Sequence, residues 1–263
     1  MTVDVGISTF LPHLAPLSWA GSYSVVAWLA AASFIASYVR SFSGFGFALL
    51  AIPFFLLVLP PEKAIPLSIS FDVIVGLALF PSILKSGVEW KSVRWLLLSA
   101  IPFVPLGLVF SQNVPMAALQ LLIGVILFVS TLLLAKGFRT EKTPTTGMTL
   151  LTGAASGFLG GIAGMFGPPV ILFFMSSPLG RTVSRASMMA FFLLSLFFAL
   201  GLQINAAESW AWIYPLPFLL VFVLLGTYLG HKKFVSTNEQ MFRRVVYGLL
   251  FVLSISLIIK AAL

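Results

Sequence analysis

Cysteine is absent from the 263 residues, which removes disulfides, thiolate metal sites and thiol nucleophiles. Charge is scarce too: Asp, Glu, Lys and Arg make up 8% of the chain, and the histidines are His13 and His231 alone. So small a donor set argues against a zinc or haem site held by protein alone, and no metal or cofactor is expected. No nucleotide-binding motif is present, so no ATP hydrolysis is expected. The first 23 residues contain no Lys or Arg and are interrupted by Pro12 and Pro16, unlike a cleavable leader. They read as a short external or interfacial segment.

What the chain does have is apolar length. Hydrophobic residues make up 60% of it and the mean hydropathy is +1.10, the composition of a polytopic, all-α membrane protein. The net charge of +8 comes from basic residues placed singly or in pairs between apolar runs. That arrangement fits topology determinants in a lipid bilayer and not a nucleic-acid surface.

Eight apolar segments can be drawn, at 24–59, 64–84, 93–110, 116–135, 148–177, 182–204, 210–229 and 241–260. The most polar connection, 136–147, divides them into two groups of four within one membrane domain, 1–263. Repeat one is 24–135 and repeat two 148–260. Two glycine-rich interruptions fall at related places: Ser43-Gly44-Phe45-Gly46-Phe47, followed by Pro53, and Gly160 through Gly164-Met165-Phe166-Gly167 to Pro169. Aligning Gly44 with Gly160 matches Pro53 to Pro169 and, with one residue of slippage, Ser70 to Ser187.

The basic residues test the topology, because Lys and Arg accumulate on the cytoplasmic side. If all eight segments cross, those other than Arg40, which lies inside the first segment, divide seven against seven. If 148–177 is instead a re-entrant hairpin, twelve share one side and only Lys63 and Lys260 oppose them. Its length of about 30 residues suits two half-helices meeting inside the membrane. Extending that reading to 24–59 by similarity gives each half one broken, re-entrant hairpin plus three transmembrane helices. Three crossings is an odd number, so the halves form an inverted repeat.

Broken helices at matching places in two halves point to a transport site near the bilayer midplane. A helix restarting there presents free N–H groups and a positive dipole end to an anion. The residues singled out as substrate-binding are Arg40, Ser43, Gly44, Phe45, Gly46, Phe47, Ser70, Asp72, Gly164, Met165, Phe166, Gly167 and Ser187. Arg40 is the sharpest of them, since an uncompensated arginine in a bilayer costs about 2.5–3.5 kcal/mol. Its alternative role is a fixed pair with Asp72, which could otherwise carry a proton. Arg181 and Arg185 read as topology determinants.

The stretches Arg40–Ala48 and Gly157–Pro169, with the four-plus-four layout and the basic linker, resemble the sulfite exporter TauE/SafE family of bacterial inner-membrane permeases. Gly44-Phe45-Gly46 stands where many members carry a run of glycines. The resemblance implies secondary export of sulfite or a small organosulfonate such as sulfoacetate, here by alternating access. The competing readings are an anion channel, or an uptake permease for another small carboxylate or oxyanion. An intramembrane enzyme would need a buried nucleophile, base or metal cluster, for which neither histidine is placed. The expected partners are a small anion, the lipid bilayer and a coupling proton or sodium ion, and exposed aromatic faces permit a homodimer.

Overall fold

A computed structural model describes residues 22–136, 145–206, 210–233 and 239–262. The expected interfacial N-terminus and most of the expected linker lie outside the described residues. The rest is helical: α1 Tyr23–Ser43, α2 Ala48–Leu56, α3 Pro61–Lys85, α4 Trp90–Gln112, α5 Met116–Ala135, α6 Thr146–Ala163, α7 Gly167–Ser176, α8 Arg181–Ala206, α9 Leu216–Lys233 and α10 Glu239–Ala262. Among the described residues there is no strand. Four helices, Tyr23–Ser43, Pro61–Lys85, Trp90–Gln112 and Thr182–Asn205, are long and apolar enough to cross a membrane.

Local chemistry sets the helix ends. The hydroxyls of Ser22 and Thr145 and the Glu89 carboxylate accept N–H groups in the first turns of α1, α6 and α4. Each is an N-cap that satisfies an otherwise orphaned donor. Pro61 starts α3 where its missing N–H is no loss. α1 and α6 both end on a glycine in the left-handed region, Gly44 at φ 76° and Gly164 at φ 68°, each donating its N–H to the carbonyl four residues back. That backbone shape suits glycine because it lacks the Cβ that other residues would strain.

Both interrupted segments are hairpins, but their arms are unequal. α1 has 21 residues and α6 has 18, about 27–32 Å at 1.5 Å per residue, and α1 is long and apolar enough to cross a membrane. The return arms α2 and α7 have 9 and 10 residues. The expectation of two half-helices is corrected accordingly: the stop comes only at the left-handed glycine, after a full-length arm. α2 folds back along α1, since Trp28 Nε1 donates to the Phe54 carbonyl at 2.9 Å. At the same end of the bundle, Lys260 Nζ near the end of α10 donates to the Leu56 and Leu57 carbonyls at 2.8 and 3.0 Å.

The two largest seams are α4 on α6 and α1 on α9. Gly153, Gly157 and Gly161 of α6 lie in turn against Leu96, Ala100 and Val104 of α4, so the two helices run in the same direction. Gly226 and Gly230 of α9 lie in turn against Phe34 and Tyr38 of α1, again in the same direction. Glycine rows of this kind let backbones approach closely in a membrane, where dispersion contacts drive helix association. α3 packs on α8 and α5 on α10.

The same offset of 120 residues separates Gly44 from Gly164 and Pro61 from Arg181. It differs by four residues from the register of the sequence alignment. The left-handed caps fall at the same point in the two hairpins and so set Gly44 beside Gly164, where the sequence alignment sets it beside Gly160. At this offset Ser70 falls beside Ala190. In the new register Arg40 is matched by Gly160, and Asp72 by Phe192.

Candidate functional site

Unwound backbone inside a membrane needs internal partners for its polar groups, and in the first hairpin two arginines supply them. Arg40, in the last turn of α1, is 0% exposed. Its Nη1 donates to the Gly44 and Phe45 carbonyls at 3.2 and 3.1 Å. Its Nε faces Asp72 Oδ1 at 2.9 Å, and the guanidinium lies 5.3 Å from the centroid of the Phe192 ring, a cation–π distance. Arg185, in the second turn of α8, donates through Nη2 to the Ser41 carbonyl. Its Cγ lies so close to Gly44 that a Cβ there would approach to 2.5 Å.

Asp72 comes from the middle of α3 and is 1% exposed. Its second oxygen, Oδ2, accepts the Ala48 N–H at 3.4 Å, the first residue of α2. α2 has no side-chain cap of its own, as its N-cap is Phe47. The carboxylate from α3 takes that role, opposite the positive end of the helix dipole. α7 begins differently. Its N-cap is Phe166, also without a side-chain cap, and Pro168 and Pro169 follow Gly167. Proline has no N–H, so Phe166 and Gly167 supply the N–H groups of that end.

The two hairpin breaks meet. Gly46, Ala48, Leu49, Asp72, Gly164, Met165, Phe166, Gly167, Phe192 and Leu196 line one cavity of about 10 Å³ for the centre of a water-sized sphere, enough for about one water. Six residues singled out in the sequence thus share one cavity: Gly46, Asp72, Gly164, Met165, Phe166 and Gly167. Arg40 stands behind Asp72, and Gly44 is packed on Arg185.

The other candidates are engaged elsewhere. Ser43 Oγ donates to the Val39 carbonyl at 2.7 Å and accepts the Phe45 N–H at 3.0 Å, tightening the turn. The Phe47 ring packs edge-on against Phe55 and Phe71, and Phe45 is buried in the core. Ser70 Oγ donates to the Pro66 carbonyl of its own helix at 2.8 Å. Ser187 Oγ accepts the Glu89 N–H at 2.9 Å, at the start of α4.

Sequence reasoning missed Phe192, and for Arg185 it favoured topology over drawing anions to an inner mouth. A signal for both was present: Arg185, Met188, Met189 and Phe192 fall at i, i+3, i+4 and i+7 on one helix face. That face is buried, with Arg185 at 9% exposure. A charge on a helix's core face differs in kind from one at its mouth.

The arrangement has the chemistry of an anion seat, in which a guanidinium and a helix N-terminus converge on one carboxylate. No solved structure matches the chain. A protein of Cupriavidus necator described as a probable sulfite/organosulfonate exporter TauE is 26% identical over 183 residues, 66% of this chain and 70% of its own length. The sequence profile of the family described as sulfite exporter TauE/SafE matches residues 29–257. The chain belongs to that family, and it is a multi-pass membrane transporter, not an enzyme.

Proposed function

We propose that the protein is a secondary exporter of sulfite or a small organosulfonate across a bacterial inner membrane. Its seat lies between two inverted repeats, 24–135 and 148–260, which give alternating access. The observation that carries this reading is the meeting of both hairpin breaks at one buried cavity beside Arg40 and Asp72. Helix termini and a guanidinium fork are the groups that recognise a compact oxyanion. The inverted relation is supported by the parallel seams: α4 runs with α6 and α1 runs with α9. Since α4 returns from the end where α3 finishes, α6 opposes its counterpart α1.

The enclosed cavity suits a carrier caught between openings better than an open pore. The carrier reading also fits the C. necator relative, whose description names sulfite and organosulfonate. The test is flux from proteoliposomes loaded with sulfite or sulfoacetate. Saturable efflux, accelerated by the same anion on the far side, is the expected result. Efflux matching that of protein-free liposomes would remove the reading.

A further inference from the structure

The central cavity holds about one water, too little for a substrate oxyanion. Asp72 offers two oxygens to the donors an oxyanion would use. Oδ1 faces Arg40 Nε at 2.9 Å and Oδ2 faces the Ala48 N–H at 3.4 Å. The second contact is long beside the usual ~2.7–3.2 Å of an N–H···O bond. Arg40 Nη2 is buried and has no hydrogen-bond acceptor among the described residues. The carboxylate therefore fills the seat incompletely: one contact is stretched, the 2.9 Å approach to Nε is an ion pair without hydrogen-bond alignment, and Nη2 is unused. On the cavity side of Oδ2 stands Gly46, where even a Cβ would lie at 3.6 Å, so the carboxylate has an open flank.

We infer that Asp72 is an internal competing anion, which holds the seat while the carrier is empty and is displaced from Arg40 and the α2 N-terminus when substrate binds. The inference rests on the exporter reading and adds what occupies the seat between turnovers. It also carries a substrate class. Sulfite and sulfonate heads bring three oxygens, one more than a carboxylate, and the third can take the donor at Nη2 that Asp72 leaves unused. The seat should therefore favour three-oxygen heads over acetate-like ligands. Release follows from the same geometry, because the returning carboxylate pushes the substrate off.

The experiment compares sulfite binding to purified full-length wild type and Asp72→Asn. Removing the competitor should tighten apparent affinity by about tenfold or more, since affinity scales with the fraction of empty seats. Efflux from proteoliposomes should fall, because nothing expels the anion. Equal or weaker binding by Asp72→Asn, in a preparation whose wild type transports sulfite, overturns the inference. If Asp72→Asn cannot be purified, a structure of the wild type with sulfite decides. Asp72 withdrawn from Arg40 and Ala48 is expected, and Asp72 retained on both overturns the inference. If the wild type carries no sulfite, the exporter reading fails, and formate then tests the seat by itself. Formate should raise the melting temperature of Asp72→Ala more than that of the wild type, and an equal effect on both overturns the inference.

Discussion

Arg40 holds two jobs at once, and substitutions separate them. Arg40→Ala leaves Asp72 as a buried charge without its partner, which costs about 3–5 kcal/mol, so the variant should be hard to purify. Arg40→Lys keeps a cation beside Asp72 but cannot also serve the Gly44 and Phe45 carbonyls. It should fold while losing sulfite transport by about tenfold or more, the scale of one charge-assisted hydrogen bond at 1.5–3 kcal/mol. Wild-type flux in Arg40→Lys would show that the second nitrogen is dispensable. A neighbouring contrast isolates backbone shape. Gly44→Ala forces a left-handed residue, at about 1–2 kcal/mol, and drives a Cβ into Arg185. Gly46→Ala meets only Asp72 Oδ2 at 3.6 Å. Melting in detergent should fall clearly for Gly44→Ala and little for Gly46→Ala.

The hairpins are the elements that make the site, and α2 is held at both ends by charge. Asp72 sits at its N-terminus and Lys260 reaches the Leu56 and Leu57 carbonyls at the other, the signs its dipole favours. α7 has no side-chain cap of this kind at its N-terminus. The seams beside them give an element-scale prediction. Gly157→Ala places a methyl on the backbone of Ala100 and must part α4 from α6, whereas Gly201→Ala meets nothing within 4 Å. Thermal melts should drop for the first and hold or rise slightly, by up to about 1 kcal/mol, for the second.

The boundaries of these elements were legible in the sequence, because glycine, proline and apolar length report on the chain locally. The Arg40–Asp72 pair was legible as one of two alternatives, since two charges in apolar runs seek each other. Arg185 beneath Gly44 was obscured by the positive-inside pattern, which gives any arginine at a helix mouth an adequate reason to be there. In sequence, Pro53 and Pro169 sit nine residues beyond Gly44 and Gly160, a spacing that favours a different register from the one the left-handed caps suggest. Backbone conformation, which sequence does not print, picks out Gly164.

At the scale of the whole molecule, sidedness is the measurable quantity. Lys85, the last residue of α3, and Asn113, the C-cap of α4, are exposed, and the charge pattern assigns the first to the cytoplasm and the second to the outside. The chain has no cysteine, so Lys85→Cys and Asn113→Cys each report alone. An impermeant maleimide applied to intact cells should label Asn113→Cys and spare Lys85→Cys. The reverse labelling would turn the protein over in the membrane.

One local mismatch between the halves reaches the whole cycle. On the proposed inverted-repeat relation Arg40 and Asp72 fall opposite Gly160 and Phe192, so the polar pair belongs to one half only. If the halves trade conformations during transport, the two facing states are not mirror images in energy. The empty carrier then rests longer facing one way than the other, and its forward and return steps have different rates, a built-in rectifier set by two residues.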